Sequence, residues 1–156
     1  MHWADFAAQT LSQRGSKHII ASGITPSGEF HIGHLREILT GDMITRACRS
    51  AGLDAEFVFI VDSADPLRKV YPFLSDEYEQ YIGCALATIP APDENGKPGN
   101  DGRNYAEHFL EPFLAALAQI DVRPRIIDNY DSYANGKFAE KSRIACEKAG
   151  EIREII

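Results

Sequence analysis

Residues 17–36 read Lys-His-Ile-Ile-Ala-Ser-Gly-Ile-Thr-Pro-Ser-Gly-Glu-Phe-His-Ile-Gly-His-Leu-Arg, and this stretch decides the fold. Residues 18–21 predict a short buried strand, residues 22–28 a turn of small and hydroxyl-bearing residues, and the His-Ile-Gly-His sequence the start of a helix. Glycines let a ligand approach the backbone, and a helix N-terminus favours negative charge. The stretch therefore predicts a site for a nucleotide phosphate.

Two histidines of this stretch are candidate catalytic residues. His31 and His34 are three positions apart, so on a helical turn they share a face and could stabilise charge that grows on a phosphate group. Gly33 between them leaves room for an adenine ring or a ribose. Two other interpretations are a solvent-exposed polar helix entry and a zinc site. Zinc is disfavoured because no glutamate follows the first histidine and no third ligand stands nearby.

Residues 37–62 extend the pattern to a strand–helix–strand unit. The helix should run from about residue 31 to residue 50, and the apolar run at residues 56–62 is typical of a parallel strand covered on both faces. Residues 17–62 therefore predict one βαβ unit. The strands end at Ser22-Gly23 and Asp62-Ser63, and ligands of such sheets bind beyond the carboxyl ends of the strands.

The rest of the chain predicts flanking helices and a third strand. We expect a helix over residues 2–14, a connective segment over 63–122, and a third strand followed by a helix within 124–156. The connective segment should contain a short helix at 76–81, a long loop at 89–104 and a helix at 105–120. Residues 128–136 predict a polar loop, and residues 138–156 a single helix. The fold class is α/β with three parallel strands, half of a doubly wound sheet, and a bare edge on the first strand would favour self-association.

Two charged pairs allow more than one interpretation. Arg68 and Lys69 could face a phosphate or a nucleic-acid backbone, or could belong to a solvated turn. Glu107 and His108 could form an acid/base pair, but adjacent residues do not share a helix face.

Composition limits the function classes. The 156 residues suffice for one domain with a core, and a net charge of −7 argues against a nonspecific nucleic-acid binder. Cys48, Cys84 and Cys146 are isolated, which indicates a reducing compartment and neither a disulfide framework nor a zinc ribbon. No apolar run could span a bilayer, and the N-terminus does not resemble a signal peptide. We therefore expect a cytoplasmic protein without a membrane partner.

Residues 23–37, Gly-Ile-Thr-Pro-Ser-Gly-Glu-Phe-His-Ile-Gly-His-Leu-Arg-Glu, resemble the signature of class I aminoacyl-tRNA synthetases. More narrowly, they resemble the class I lysyl-tRNA synthetases of archaea and some bacteria. The similarity extends to residues 2–5, 65–73 and 105–113. It implies a Rossmann-like fold of the HUP type that synthetases share with nucleotidylyltransferases, and the N-terminal part of a catalytic domain with the HIGH motif.

The resemblance implies a reaction and a set of site residues. The family activates lysine with Mg²⁺-bound ATP and then esterifies tRNA(Lys), so lysine, ATP and tRNA(Lys) are the expected partners. His31 and His34 would be catalytic and would contact the ATP phosphates. The residues implied to bind ATP are Ser27, His31, Gly33 and His34, and those implied to bind lysine are Gly23, Thr25 and Glu37. Glu37 could instead be an exposed helix charge paired with Arg36 or Arg46.

Features of the intact family are absent from this sequence. There is no Lys-x-Ser-Lys pattern like that of the KMSKS motif, no α-helical anticodon-binding region, and no cysteine within residues 90–104, where relatives can bind zinc. We therefore expect an N-terminal portion of the enzyme, with weak ATP binding and little tRNA charging by itself. The alternatives are a small nucleotidylyltransferase and a non-catalytic nucleotide- or tRNA-binding module.

Overall fold

The computed structural model describes residues 2–156, which form one parallel sheet with helices around it. In chain order the elements are α1 (Trp3–Ser12), β1 (Lys17–Ile24), α2 (Ile32–Ser50), β2 (Asp54–Val61), two 3-10 helices (Asp76–Tyr81 and Leu86–Thr88), α3 (Tyr105–Gln119), β3 (Arg125–Asp128), α4 (Asn129–Ala134), α5 (Ala139–Glu147) and α6 (Ala149–Ile155).

The three strands are parallel and lie in the order β1-β2-β3. The β1–β2 register runs from Lys17 opposite Asp54 to Ile24 opposite Val61, and β3 pairs with the last four residues of β2. The predicted α/β architecture is confirmed. β1 forms one edge of this sheet, and its Ile19 is 63% exposed.

Two hydrophobic clusters hold the segments that surround the candidate site. The first lies around β2, whose apolar side chains pack against α2 and α3; its buried members are Ile24, Ile38, Phe57, Phe59, Val61, Phe113, Leu117 and Val122. The second fixes the connective segment to α3; its buried members are Leu67, Leu74, Tyr78, Leu86, Ile89, Tyr105, Ala106 and Phe109. The connective segment is therefore a packed layer, although residues 89–104 hold no helix and no strand of the sheet.

The first strand is longer than predicted, and none of the expected residues 18–21 is buried, because β1 lies at the edge of the sheet. It extends from Lys17 to Ile24, beyond the expected residues 18–21, because β2 offers parallel partners as far as Val61. Part of the predicted turn, residues 22–24, is thus strand, and the bend begins only at Thr25.

The C-terminal predictions were partly wrong. A helix replaces the polar loop predicted for residues 128–136: the Asp128 side chain accepts a hydrogen bond from the backbone N–H of Asp131 at 2.9 Å and so caps α4. The single helix predicted for residues 138–156 is two helices, α5 and α6, separated at Lys148, and neither contains a buried residue. Among residues 2–156, none of the helices is both long and apolar enough to cross a membrane.

Candidate active site

A cavity of about 590 Å³ lies beyond the carboxyl end of β1. One part of its lining comes from the β1–α2 connection and includes Thr25, Ser27, His31 and His34. Another comes from the connective segment and α3 and includes Tyr71, Phe73, Glu94 and His108. Residues up to 84 positions apart in the chain (Phe109 against Thr25) thus share one cavity.

The two histidines cap α2 reciprocally. Nδ1 of His31 accepts the backbone N–H of Gly33 at 3.1 Å, and Nδ1 of His34 accepts the backbone N–H of His31 at 3.0 Å. A neutral imidazole that accepts at Nδ1 carries its proton on Nε2. Each ring therefore retains an Nε2–H donor, and both residues line the cavity. The ring centroids are 3.9 Å apart.

His34 favours its neutral form. Partial burial lowers its pKa from the usual 6.5, and the neighbouring His31 lowers it further. The Phe30 ring meets His34 edge-on at 5.1 Å between centroids and is itself stacked on Phe113 at 4.2 Å. Packing of Phe30 against Phe113 thus fixes one side of the His34 ring.

The connective segment fixes the bend between β1 and α2. Oη of Tyr105 donates to the Ser27 carbonyl at 2.8 Å, and Oγ1 of Thr25 donates to Oδ2 of Asp65 at 2.7 Å. Tyr105 is fully buried, and this burial raises the pKa of its phenol. The Phe73 ring covers Gly28 so closely that a Cβ there would lie 3.3 Å from Cζ of Phe73.

A second polar cluster joins the carboxyl ends of β1, β2 and β3. Oγ of Ser22 donates to Oε1 of Glu37 at 3.4 Å, and a Cβ on Gly23 would lie 3.5 Å from Oδ2 of Asp62. The Asn129 amide donates to Oδ1 of Asp62. Farther along, Oγ of Ser63 donates to Oδ1 of Asp128 at 2.7 Å.

The structure brings together only some of the sequence-predicted site residues. Four of them line the cavity: Thr25, Ser27, His31 and His34. Gly23 and Glu37 belong to the second polar cluster, while Gly33 lies under the His31 ring, where a Cβ would be 2.8 Å from Cε1. Glu37 is exposed, as one interpretation predicts, but among residues 2–156 it pairs with neither Arg36 nor Arg46, and Arg46 pairs with Asp42 at 2.6 Å instead.

Sequence reasoning missed the far side of the cavity. No local motif identifies Tyr71 or Phe73 individually, and the sequence suggests His108 only as a partner of Glu107. That acid/base pair does not form, because the Glu107 carboxylate accepts the backbone N–H of Asn104 at 3.1 Å. His108 lines the cavity instead, and its Nδ1 is buried without a hydrogen-bond partner among the described residues. The signal available in the sequence for Tyr71 and Phe73 is their position in a run of basic and aromatic residues, 68–73.

Within residues 2–156 no three His, Cys, Asp or Glu side chains are grouped so that they could hold a metal ion. The imidazole and hydroxyl groups of the cavity can donate hydrogen bonds to a ligand, whereas its carboxylates can only accept them.

A parallel sheet, a bend after its first strand and a helix capped by the H-x-G-H histidines define an α/β domain of the nucleotide-binding class. Within that class the chain belongs to the class I (K) tRNA synthetases, because the model of that family matches residues 1–156.

Curated relatives agree with this family. The chain is 42% identical over 156 residues to a lysine–tRNA ligase of Methanosarcina barkeri, 44% over 156 residues to one of Archaeoglobus fulgidus, and 44% over 158 residues to one of Methanocaldococcus jannaschii. Each comparison covers the whole chain but only 28%, 30% and 29% of the respective relative. The chain thus spans less than a third of the length of these relatives.

Proposed function

We propose that this chain contributes the ATP- and lysine-binding site of a lysine–tRNA ligase. The observation that carries the proposal is the reciprocal cap, because it leaves two imidazole Nε2–H groups as donors at one cavity. The 42–44% identity to lysine–tRNA ligases supports lysine as the amino acid. Membership of a synthetase family disfavours the alternative of a small nucleotidylyltransferase.

The proposed reaction is adenylate formation. A carboxylate oxygen of lysine attacks the α-phosphorus of ATP, the bond from this phosphorus to the bridging oxygen breaks, and pyrophosphate leaves with that electron pair. ATP enters as its Mg²⁺ complex. Nε2–H of His31 and His34 would donate to the phosphate oxygens, where negative charge increases in the transition state. Ser27 and Gly33 would lie beside the nucleotide.

We assign lysine to the region between the cavity and the second polar cluster. Thr25 and Gly23 would contact the amino acid at the end of β1. Glu37 would accept the side-chain ammonium, because a cation removed from water needs an anionic partner. Its present partner is a single hydroxyl at 3.4 Å, which leaves the carboxylate capacity for an ammonium group.

The remaining assignments concern the whole protein. We propose that tRNA(Lys) is the second substrate and receives the lysyl group as an ester, that the protein is cytoplasmic, and that residues 1–156 form the N-terminal portion of a Rossmann-type catalytic domain. We also propose that the bare β1 edge can pair two copies of this chain. Ile19→Lys should then reduce dimer formation in sedimentation velocity, whereas Ile155→Lys on α6 should not.

Titration calorimetry tests the ligand assignments. His31→Asn combined with His34→Asn should weaken Mg–ATP binding about tenfold per lost charged hydrogen bond, with little change in lysine affinity. His18→Asn is the matched control, since His18 lies outside the cavity lining. Equal losses for ATP and lysine would show that the histidines only support the fold. If the wild-type chain binds neither ATP nor lysine, the result would favour the alternative of a non-catalytic module.

Thr25 separates the lysine site from the ATP site. Thr25→Val removes the hydroxyl that donates to Asp65 and should weaken lysine more than ATP. Thr25→Ser keeps the hydroxyl and should bind both ligands as the wild type does. If Thr25→Val weakens ATP binding more than lysine binding, Thr25 belongs to the nucleotide site and not to the lysine site.

A further inference from the structure

Asp65 is a carboxylate beside the candidate site that the proposed adenylate chemistry does not use. Its Oδ2 accepts the hydroxyl proton of Thr25 at 2.7 Å, across 40 positions of the chain. Thr25 lines the cavity, whereas Asp65 is not among the residues of the lining. The carboxylate therefore reaches the cavity only through the threonine hydroxyl.

The backbone on both sides of Asp65 holds its carboxylate in place. The N–H of Asp65 donates to the Asp62 carbonyl at 3.2 Å, and the carbonyl of Asp65 accepts the N–H of Leu86 at 3.0 Å. Pro66 restricts the backbone of the residue before it, and Leu67 is 1% exposed in the second hydrophobic cluster. The position of the Asp65 carboxylate is thus fixed before any ligand arrives.

The hydrogen bond to Asp65 sets the polarity of the Thr25 hydroxyl. A hydroxyl has one proton and two lone pairs, and a carboxylate at neutral pH has no proton to donate. The proton of Thr25 is therefore committed to Asp65, in the only side-chain hydrogen bond that Thr25 forms within residues 2–156. Towards a ligand in the cavity this hydroxyl can only accept, and the negative charge of its partner strengthens it as an acceptor.

We propose that Asp65 is a positioning residue that fixes Thr25 as an acceptor for the α-ammonium group of lysine. The inference rests on the proposed function, in which Glu37 accepts the side-chain ammonium and the carboxylate of lysine attacks ATP. The α-ammonium is then the charged group of lysine that still needs a partner. A cation removed from water without a partner is costly, and an acceptor backed by a carboxylate supplies that partner.

The charges around the bend favour a cation over an anion beside Thr25. Oδ2 of Asp62 would lie 3.5 Å from a Cβ on Gly23, two residues before Thr25. The guanidinium of Arg68 lies 3.6 Å from Oδ2 of Asp65, but the Arg68 side chain is 74% exposed, so water screens its charge. The end of β1 is therefore rich in carboxylates, whereas the imidazole donors that suit phosphate stand at the start of α2.

Two ligands that differ only in the α-ammonium group test the role of Asp65. They are L-lysine and ε-aminocaproate, which is lysine without that group, and NMR titration of the isotope-labelled chain measures weak affinities for both. Asp65→Asn should weaken lysine binding about tenfold, because an asparagine amide can donate as well as accept and no longer fixes the Thr25 proton. Binding of ε-aminocaproate and of Mg–ATP should stay as in the wild type.

Asp42→Asn on α2 is the matched control. Asp42 is also a partly buried carboxylate that pairs with an arginine, but it lies outside the cavity lining, so lysine should bind to this variant as to the wild type. If Asp65→Asn weakens lysine and ε-aminocaproate by the same factor, Asp65 only supports the fold, and the proposal is overturned.

A double-mutant cycle shows whether Asp65 acts through Thr25. Thr25→Val alone should weaken lysine about tenfold, and Asp65→Asn added to it should cause little further loss, because the hydroxyl that Asp65 orients is then absent. Losses that add independently would show that Asp65 affects lysine by another route, and the positioning role would be wrong.

Titrations of the wild-type chain separate this inference from the proposed function. If lysine binds to the wild type and equally well to Asp65→Asn, the role of Asp65 is wrong and the proposed lysine site stands. If the wild type does not bind lysine, the lysine assignment of the proposed function fails, and this inference fails with it.

Discussion

Nδ1 of His34 accepts the backbone N–H of His31 at 3.0 Å, and Nδ1 of His31 accepts that of Gly33 at 3.1 Å, so hydrogen bonds to the first turn of α2 hold both rings in place. A side chain that serves as a cap has its ring orientation and its tautomer fixed before any ligand arrives. Preorganised donors of this kind stabilise a developing charge without the cost of reorientation. The same hydrogen bonds connect the chemistry of the site to the stability of the helix.

Partial burial of His34 and the neighbouring His31, which lower the pKa of His34, predict a dependence of stability on pH. The folded pKa of His34 lies below the usual 6.5, so below that value the unfolded chain binds more protons than the folded one. The free energy of unfolding should therefore decrease as the pH falls from about 7 through 6.5 and should level off below the folded pKa. Urea unfolding at several pH values measures it. His34→Gln should show a smaller decrease, and an equal decrease in both proteins would contradict the assignment.

Gly33→Ala should disturb the cap. An alanine Cβ would lie 2.8 Å from Cε1 and 3.0 Å from Nδ1 of His31, so the ring must move and lose its hydrogen bond from the residue-33 N–H. We expect about 1 kcal/mol less stability, as for loss of an N-cap, together with weaker ATP binding in calorimetry.

Gly150→Ala is the control for this change. Nothing lies within 4 Å of a Cβ at residue 150 on α6, so helix propensity alone should add up to about 1 kcal/mol of stability. If Gly33→Ala leaves ATP binding unchanged, the position of the His31 ring is unimportant for ATP binding.

Tyr105→Phe should loosen the bend after β1. It removes the donor at 2.8 Å from the partly buried Ser27 carbonyl, and loss of such a hydrogen bond costs about 1 kcal/mol. Chemical denaturation measures the loss. Tyr133→Phe is the matched control, since Tyr133 is 61% exposed and should change stability by less than about 0.5 kcal/mol. Similar values for the two variants would argue against a structural role of the Tyr105 hydroxyl.

Gly41→Ala tests the contact between α2 and the sheet. A Cβ at residue 41 would lie 2.8 Å from Cζ of Phe57 and closer still to Cε2, inside the buried core. Overpacking of this kind costs about 1–3 kcal/mol, which should appear as a lower melting temperature. Double substitution with Phe57→Leu should recover part of the loss, because the smaller side chain leaves space for the methyl group.

Local sequence patterns sufficed for much of the fold and for four of the residues that line the cavity. Two features can be recognised from the periodicity and composition of adjacent residues alone. They are the strand, bend and helix of residues 17–36 and the apolar run of β2. Helix α4 was missed because Asn129, Asp131 and Ser132 are turn formers, and only the Asp128 cap and the Ser132 bond to the Asp128 carbonyl make them helical.

The sequence by itself determined the parallel α/β sheet, the bend after its first strand and the paired histidines, because each depends on residues close together in the chain. Only the tertiary structure decided which side chains share the cavity. Packing of Leu67, Tyr78 and Tyr105 in the second cluster brings Tyr71, Phe73 and His108 to the histidines and leaves Gly23 and Glu37 outside the cavity lining. Such long-range placement follows from the fit of whole hydrophobic layers, which no short stretch of sequence encodes.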